Sequence, residues 1–181
     1  MRVGMLVANG LVLGAIGWMA SLGGIEHRAA ELFPKRTQAA ADAAPADFQG
    51  LEARVALSPS SGTVVALAAA YLDRWQPGLA SAVIDRAPRD LQQRPEIAQL
   101  RARALFHRGH VRNALAVARD ARDSCVDGAT CAPWLVAKTT RQVAFFEQVV
   151  AAGIEDPSTN PDATLAAYDR SSHAVRLVAM R

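Results

Sequence analysis

Two cysteines are the side chains whose spacing most directly suggests a chemical role in this sequence. Cys125 and Cys131 are the only cysteines among the 181 residues, and five residues separate them. This spacing differs from a CxxC redox motif, and no second pair is present to complete a zinc site. Asp127, Gly128 and Thr130 indicate a turn between the two cysteines. The pattern predicts a disulfide formed in an oxidising compartment, with two unpaired buried thiols as the alternative.

Two histidines could form a second kind of site. His107 and His110 are three residues apart, but a third metal ligand is missing nearby, and a turn at Gly109 would break their helical register. Surface or turn histidines are therefore the favoured interpretation. The sequence contains no phosphate-binding loop, no GxSxG motif and no HExxH motif. We expect no catalytic, cofactor-binding or metal-binding residues and no small-molecule substrate, so the chain is not expected to be an enzyme.

A basic stretch could instead bind carboxylates of a partner protein. Arg101 and Arg108 are two helical turns apart and share a face, and Arg112 follows the turn at Gly109. These three arginines are the candidate partner-binding residues because guanidinium groups pair well with carboxylates. The alternative is a solvated polar face. The net charge of the whole chain is only +3, which is too small to indicate nucleic-acid binding.

The amino-terminal segment has the composition of a membrane span. Residues 3–25 contain no charged side chain, and as a helix they would extend about 35 Å, enough to cross a bilayer core of roughly 30 Å. We predict a transmembrane anchor over residues 1–25, with a cleaved signal sequence as the alternative. Four small residues share one face of this helix and are the candidates for close contact with a second membrane helix: Gly10, Gly14, Gly17 and Ser21.

The flanking charges and the cysteines give opposite indications of membrane orientation. Arg2 precedes the span, whereas Arg28, Lys35 and Arg36 follow it, which weakly favours a cytoplasmic domain. A disulfide favours the periplasm. We therefore expect a single-pass protein of a bacterial inner membrane with a periplasmic domain. Residues 26–46 are expected to be a helical stalk or linker between the anchor and that domain.

An internal repeat defines the expected fold of residues 47–181. Residues 68–87 align without a gap onto residues 102–121, with seven of twenty positions identical. A 34-residue period of helix-turn-helix units resembles the tetratricopeptide repeat (TPR) family. The resemblance implies two repeats, at about 62–94 and 95–127, followed by atypical capping helices over 132–181. Trp75, where the family has a turn glycine, and Arg101, where it has a large apolar residue, depart from the pattern.

A further helix is expected before the first repeat. Residues 47–59 fit a single helix whose inward face would include Phe48, Leu51, Val55 and Leu57. Such a helix would be the second half of an earlier, diverged repeat.

The resemblance also implies how such a chain would act. The fold class is all-α, with a transmembrane helix followed by a short helical-hairpin solenoid. First helices of such repeats line a groove that holds a peptide or a partner helix, which Arg101 and Arg108 would line if they face it. The expected function is that of a non-catalytic scaffold or assembly subunit of a bacterial cell-envelope complex. Its expected partners are other protein subunits and membrane lipid. The alternative is a secreted or periplasmic soluble binding module released by signal cleavage.

Overall fold

The computed structural model describes residues 47–128 and 131–179, and every regular element in these two ranges is a helix. The all-α class is therefore confirmed for this part of the chain. The predicted anchor, its four small residues Gly10, Gly14, Gly17 and Ser21, and the linker 26–46 lie outside the described residues. The helices are α1 (Phe48–Leu57), α2 (Ser61–Asp73), α3 (Pro77–Arg86), α4 (Arg89–Gln92), α5 (Pro95–His107), α6 (Val111–Gly128), α7 (Pro133–Ala151) and α8 (Pro161–Ala179).

Local sequence signals account for most of the helix starts. Proline is the first residue of α3, α5, α7 and α8, a position where its fixed φ suits the helix and its missing N–H costs nothing. Helix α2 starts instead with a reciprocal pair, in which the Ser60 side chain accepts from the Thr63 amide and the Thr63 hydroxyl accepts from the Ser60 amide. None of the helices in the described ranges combines the length and apolarity needed to cross a bilayer.

The two central hairpins have the same register. Helix α5 begins and ends one repeat period after α2, since Pro95 corresponds to Ser61 and His107 corresponds to Asp73. Helices α3 and α6 also begin one repeat period apart, at Pro77 and Val111. Alanines at matching positions are fully buried in both hairpins, at 0% exposure: Ala68 with Ala102, and Ala80 with Ala114. Small side chains at these positions allow antiparallel helices to approach closely.

The turns of the two hairpins also match. Trp75 has φ 58°, and Gly109, at the corresponding position of the second hairpin, has φ 79°. Glycine adopts this left-handed conformation without a Cβ penalty, whereas tryptophan does not. The Trp75 ring contacts the His107 ring edge-on, with centroids 4.7 Å apart, which offsets part of that cost. A turn residue that departs from the repeat pattern in sequence therefore keeps the backbone conformation of the repeat.

Helices that are consecutive along the chain form a continuous stack. Helix α2 packs on α3 and α5, α3 packs on α5, and each of α5, α6 and α7 packs on the next long helix. The core of the first hairpin and its neighbour includes Val64, Leu67, Leu72, Ile84, Ile97 and Leu100. Phe106 continues the core towards α7, where its ring lies 5.3 Å from Phe145 and 4.9 Å from Phe146.

Two local expectations are wrong. Leu57 does not face inward, since it is the last residue of α1 and is 86% exposed. Asp127 and Gly128 do not lie in a turn, since α6 continues through both. Whether a residue near a helix end is buried depends on its tertiary surroundings rather than on the hydrophobic period. A glycine lowers helix stability by only about 1 kcal/mol, so α6 can continue through Gly128.

Candidate interaction surface

Two of the three candidate arginines contact α3. The Arg101 guanidinium lies 3.1 Å from an oxygen of Asp85 on α3 and donates to Gln92 at 3.0 Å. Arg108 donates to the Ser81 hydroxyl, also on α3, at 3.3 Å. Arg101 in α5 and Arg108, which caps the end of α5, thus both point towards α3. Both guanidinium groups have intramolecular partners; the side chain of Arg101 is only 28% exposed, whereas Arg108 is exposed. Whether either residue contacts a partner stays a prediction.

The third candidate arginine lies elsewhere. Arg112 is exposed in the first turn of α6 and lines an open cleft of about 500 Å³ between the turn at Gly109 and the turn at Gly153. Polar groups of His110 and Glu155 line the same cleft. The structure therefore does not gather all three candidate arginines on one surface, because the turn at Gly109 reverses the chain before Arg112.

A different set of side chains forms a continuous exposed row on α7. Trp134, Lys138 and Arg141 follow one another at spacings of four and three residues, which places them on one face of the helix. All three are exposed, and the Trp134 side chain is 62% accessible although it is large and apolar. We call these three residues the α7 stripe. Sequence reasoning missed it, although the spacing and the only lysine of the described residues could have indicated it.

Cations crowd the middle of the α7 stripe. Partial desolvation and the positive charges of Arg103 and Arg141 lower the pKa of Lys138, and the Asp73 carboxylate opposes them. Asp73 is already paired with Arg103 at 3.1 Å. Among residues 47–125 and 131–172, whose side chains the structure describes, no acceptor lies at hydrogen-bond distance from the Lys138 ammonium group, and no carboxylate pairs with Arg141. Lys138 therefore lies close to two other cations, and the carboxylate that acts on it is already paired with Arg103.

The interface beneath the stripe joins α5 to α7. The Gln142 amide nitrogen donates to the backbone oxygen of Gln99 at 3.2 Å, and the Gln99 side chain is buried. The Gln142 side-chain oxygen is buried without a hydrogen-bond partner among the described residues. This hydrogen bond and the contacts of Phe106 with Phe145 and Phe146 connect α5 to α7.

The two histidines differ in environment. His107 is half-buried against Trp75, and desolvation, helped by the charge of Arg103, lowers its pKa to about 4. His107 is therefore neutral at pH 7. His110 is exposed. Within the described ranges, no group of three or more His, Cys, Asp or Glu side chains lies close enough to hold a metal ion.

The cysteines are close enough to form a disulfide. The sulfur atoms of Cys125 and Cys131 are at bonding distance, and their Cα atoms are 5.2 Å apart, within the usual range for such a bond. Cys125 is buried near the end of α6, and Cys131 comes two residues before α7. The bond therefore ties the end of one helix to the start of the next. Trp134 begins the α7 stripe just beyond it.

Comparisons of the chain with protein-family models, with curated proteins and with solved structures found no match.

Proposed function

We propose that this chain is a non-catalytic scaffold or assembly subunit of a bacterial cell-envelope complex. In this proposal a TPR-like helical stack docks a partner protein, and the apolar amino-terminal segment anchors the chain in the inner membrane. The other protein subunits of the complex are the partners of the stack, and lipid surrounds the anchor. The stack itself has no role in catalysis.

The repeated hairpin geometry carries the proposal. Helices α2 and α5 are one repeat period apart at both ends, Ala80 and Ala114 are both fully buried, and Trp75 and Gly109 share a left-handed turn conformation. A stack of such hairpins buries its apolar faces against its neighbours and leaves helix faces free along its length. An extended surface of this kind suits protein docking, whereas a small substrate needs an enclosed pocket.

Two further observations support the proposed location. The Cys125–Cys131 pair at disulfide distance supports an oxidising compartment, since such bonds rarely persist in the cytosol. The charge-free residues 3–25 are long enough for a membrane span. Together they favour a domain on the periplasmic side of the inner membrane.

The native size of the full chain tests the proposal. The chain would carry a carboxy-terminal tag, be expressed at its natural level, be extracted in mild detergent and be resolved by native electrophoresis. We expect it to migrate in a complex well above its own 19.2 kDa. A matched version lacking residues 1–25, preceded by a cleavable export signal, should leave that complex. Migration as a single copy, or an unchanged complex without residues 1–25, would contradict the proposal.

The mass of the mature chain separates the anchored subunit from a released binding module. Removal of a signal sequence would lower the mass by about 2 kDa, whereas an anchor stays attached. We expect the uncleaved mass in the membrane fraction. A shortened chain recovered only in the soluble periplasmic fraction would favour the released module.

A further inference from the structure

The strongest unexplained feature of the described surface is an exposed tryptophan followed by cations that lack a carboxylate partner. Among residues 47–125 and 131–172, whose side chains the structure describes, the exposed large apolar residues are Leu57, Leu79 and Trp134. Of these, only Trp134 stands at the end of a row of charged residues on its own helix. Exposed indole rings next to cations are common in surfaces that bind other macromolecules, since the ring supplies apolar area at low entropic cost.

The arrangement of charges around the α7 stripe favours a negatively charged ligand. Lys138 and Arg141 have no carboxylate partner among the described residues, and the one nearby carboxylate, Asp73, is already bonded to Arg103 at 3.1 Å. Arg141 donates only to a backbone oxygen of its own helix, at 3.2 Å, which leaves its charge uncompensated. Like charges this close repel one another in the free protein. A ligand that brings carboxylates would relieve that repulsion as well as form new pairs.

The dimensions of the α7 stripe favour an extended peptide as the ligand. Lys138 lies about 6 Å beyond Trp134 along the helix axis, and Arg141 lies about 4.5 Å further. An extended peptide advances about 3.3 Å per residue. An apolar side chain against Trp134 would therefore be followed two residues later, on the same side of the peptide, by an acidic side chain opposite Lys138. A second carboxylate on that side, two residues further on, would lie within reach of the long Arg141 side chain. A free inorganic anion would use the cations but leave the indole ring exposed.

We propose that the α7 stripe, with Arg103 beside it, binds an acidic segment of the partner protein that contains an apolar residue followed by carboxylates. The inference rests on the proposed function, since it names the chemistry of the partner that the stack docks. It assigns the contact to the α7 stripe rather than to Arg101 and Arg108, which are bonded to α3.

Fluorescence anisotropy of a labelled peptide tests the inference. The probe is a fluorescein-labelled peptide with a leucine followed by glutamates, and its counterpart has glutamine in place of every glutamate. The full chain in mild non-ionic detergent should bind the acidic peptide and not the glutamine peptide. Raising the salt concentration should weaken binding, because exposed ion pairs are screened.

Variants locate the binding site. The double variant Lys138→Gln/Arg141→Gln should weaken binding about tenfold, and Trp134→Ala about fivefold, as expected for partly exposed contacts. The matched control is Arg119→Gln, since Arg119 is paired with Glu147 at 2.8 Å on another face of the stack. The control should bind the peptide like the parent. A charge reversal, Lys138→Glu/Arg141→Glu, should instead bind a lysine version of the peptide.

Each outcome decides the inference. Equal binding by the stripe variant and the Arg119 control, or no binding by the parent chain, overturns it. So does stripe-dependent binding of short-chain phosphatidylglycerol without binding of the peptide, since the surface would then recognise lipid headgroups. The native-size measurement is separate from this assay. A large native complex without peptide binding refutes only the stripe, and peptide binding without a native complex refutes only the scaffold role.

Discussion

Enlarging a buried alanine where two helices cross should destabilise the stack, whereas the same change on the exposed face of the same helix should not. Ala114 on α6 is 0% exposed and matches Ala80 of the preceding hairpin. Ala114→Leu adds three carbon atoms at a closely packed site, and overpacking of this kind costs about 1–3 kcal/mol. For a domain of this size, each kcal/mol lowers Tm by about 4 °C. We therefore expect Tm to fall by about 4–12 °C.

The measurement is thermal unfolding of the full chain in mild detergent, followed by far-ultraviolet circular dichroism. Ala116→Leu is the matched control, since Ala116 lies on the same helix and is exposed. Leucine and alanine have similar helix propensities, so the control should stay within about 0.5 kcal/mol of the parent. If the two variants have the same Tm, close helix contact at Ala114 does not hold the hairpin together, and the reasoning from small residues fails.

Three other predictions concern turns, the disulfide and pH. Gly109→Ala and Gly153→Ala should each cost about 1–2 kcal/mol in thermal unfolding, since φ is 79° and 68° at these positions; equal stability of parent and variants would contradict the left-handed turns. Reduction of the Cys125–Cys131 pair should cost roughly 2 kcal/mol, and a free-thiol assay on the native chain should find none. Because the pKa of His107 falls from 6.5 to about 4 on folding, the folded state binds fewer protons between these values. Stability should therefore fall by up to about 3 kcal/mol as pH drops from 6.5 to 4. His107→Gln should remove this dependence, and an unchanged pH profile in that variant would count against it.

Much of the fold follows from short-range signals in the sequence. Proline at the first helical position and glycine at the turns act within a few residues, so the starts of α5 and α8 and the turn at Gly109 could be predicted. The register of the two central hairpins could also be predicted, because alanines recur at matching positions and are buried in both, Ala68 with Ala102 and Ala80 with Ala114.

The candidate site could be predicted less well. The spacing of Arg101 and Arg108 predicted that they share a helix face, but the neighbouring Asp85 and Ser81 come from another hairpin. A helical period indicates which residues share a face, and it does not show what that face contacts. The same limit applies to Leu57, whose apolar side chain is exposed at the end of α1.

The sequence alone determined the helical class of the described residues, the offset of the two central hairpins and the closeness of the two cysteines, because these depend on local conformation and on a repeated pattern. Only the tertiary structure decided that α3 supplies hydrogen-bond partners to Arg101 and Arg108. It also decided that Trp75 adopts the left-handed backbone conformation that glycine favours. It further decided that Lys138 and Arg141 form no ion pair with a carboxylate among the residues whose side chains are described. These outcomes depend on which helices lie side by side, and side chains far apart in the chain set them through burial and charge.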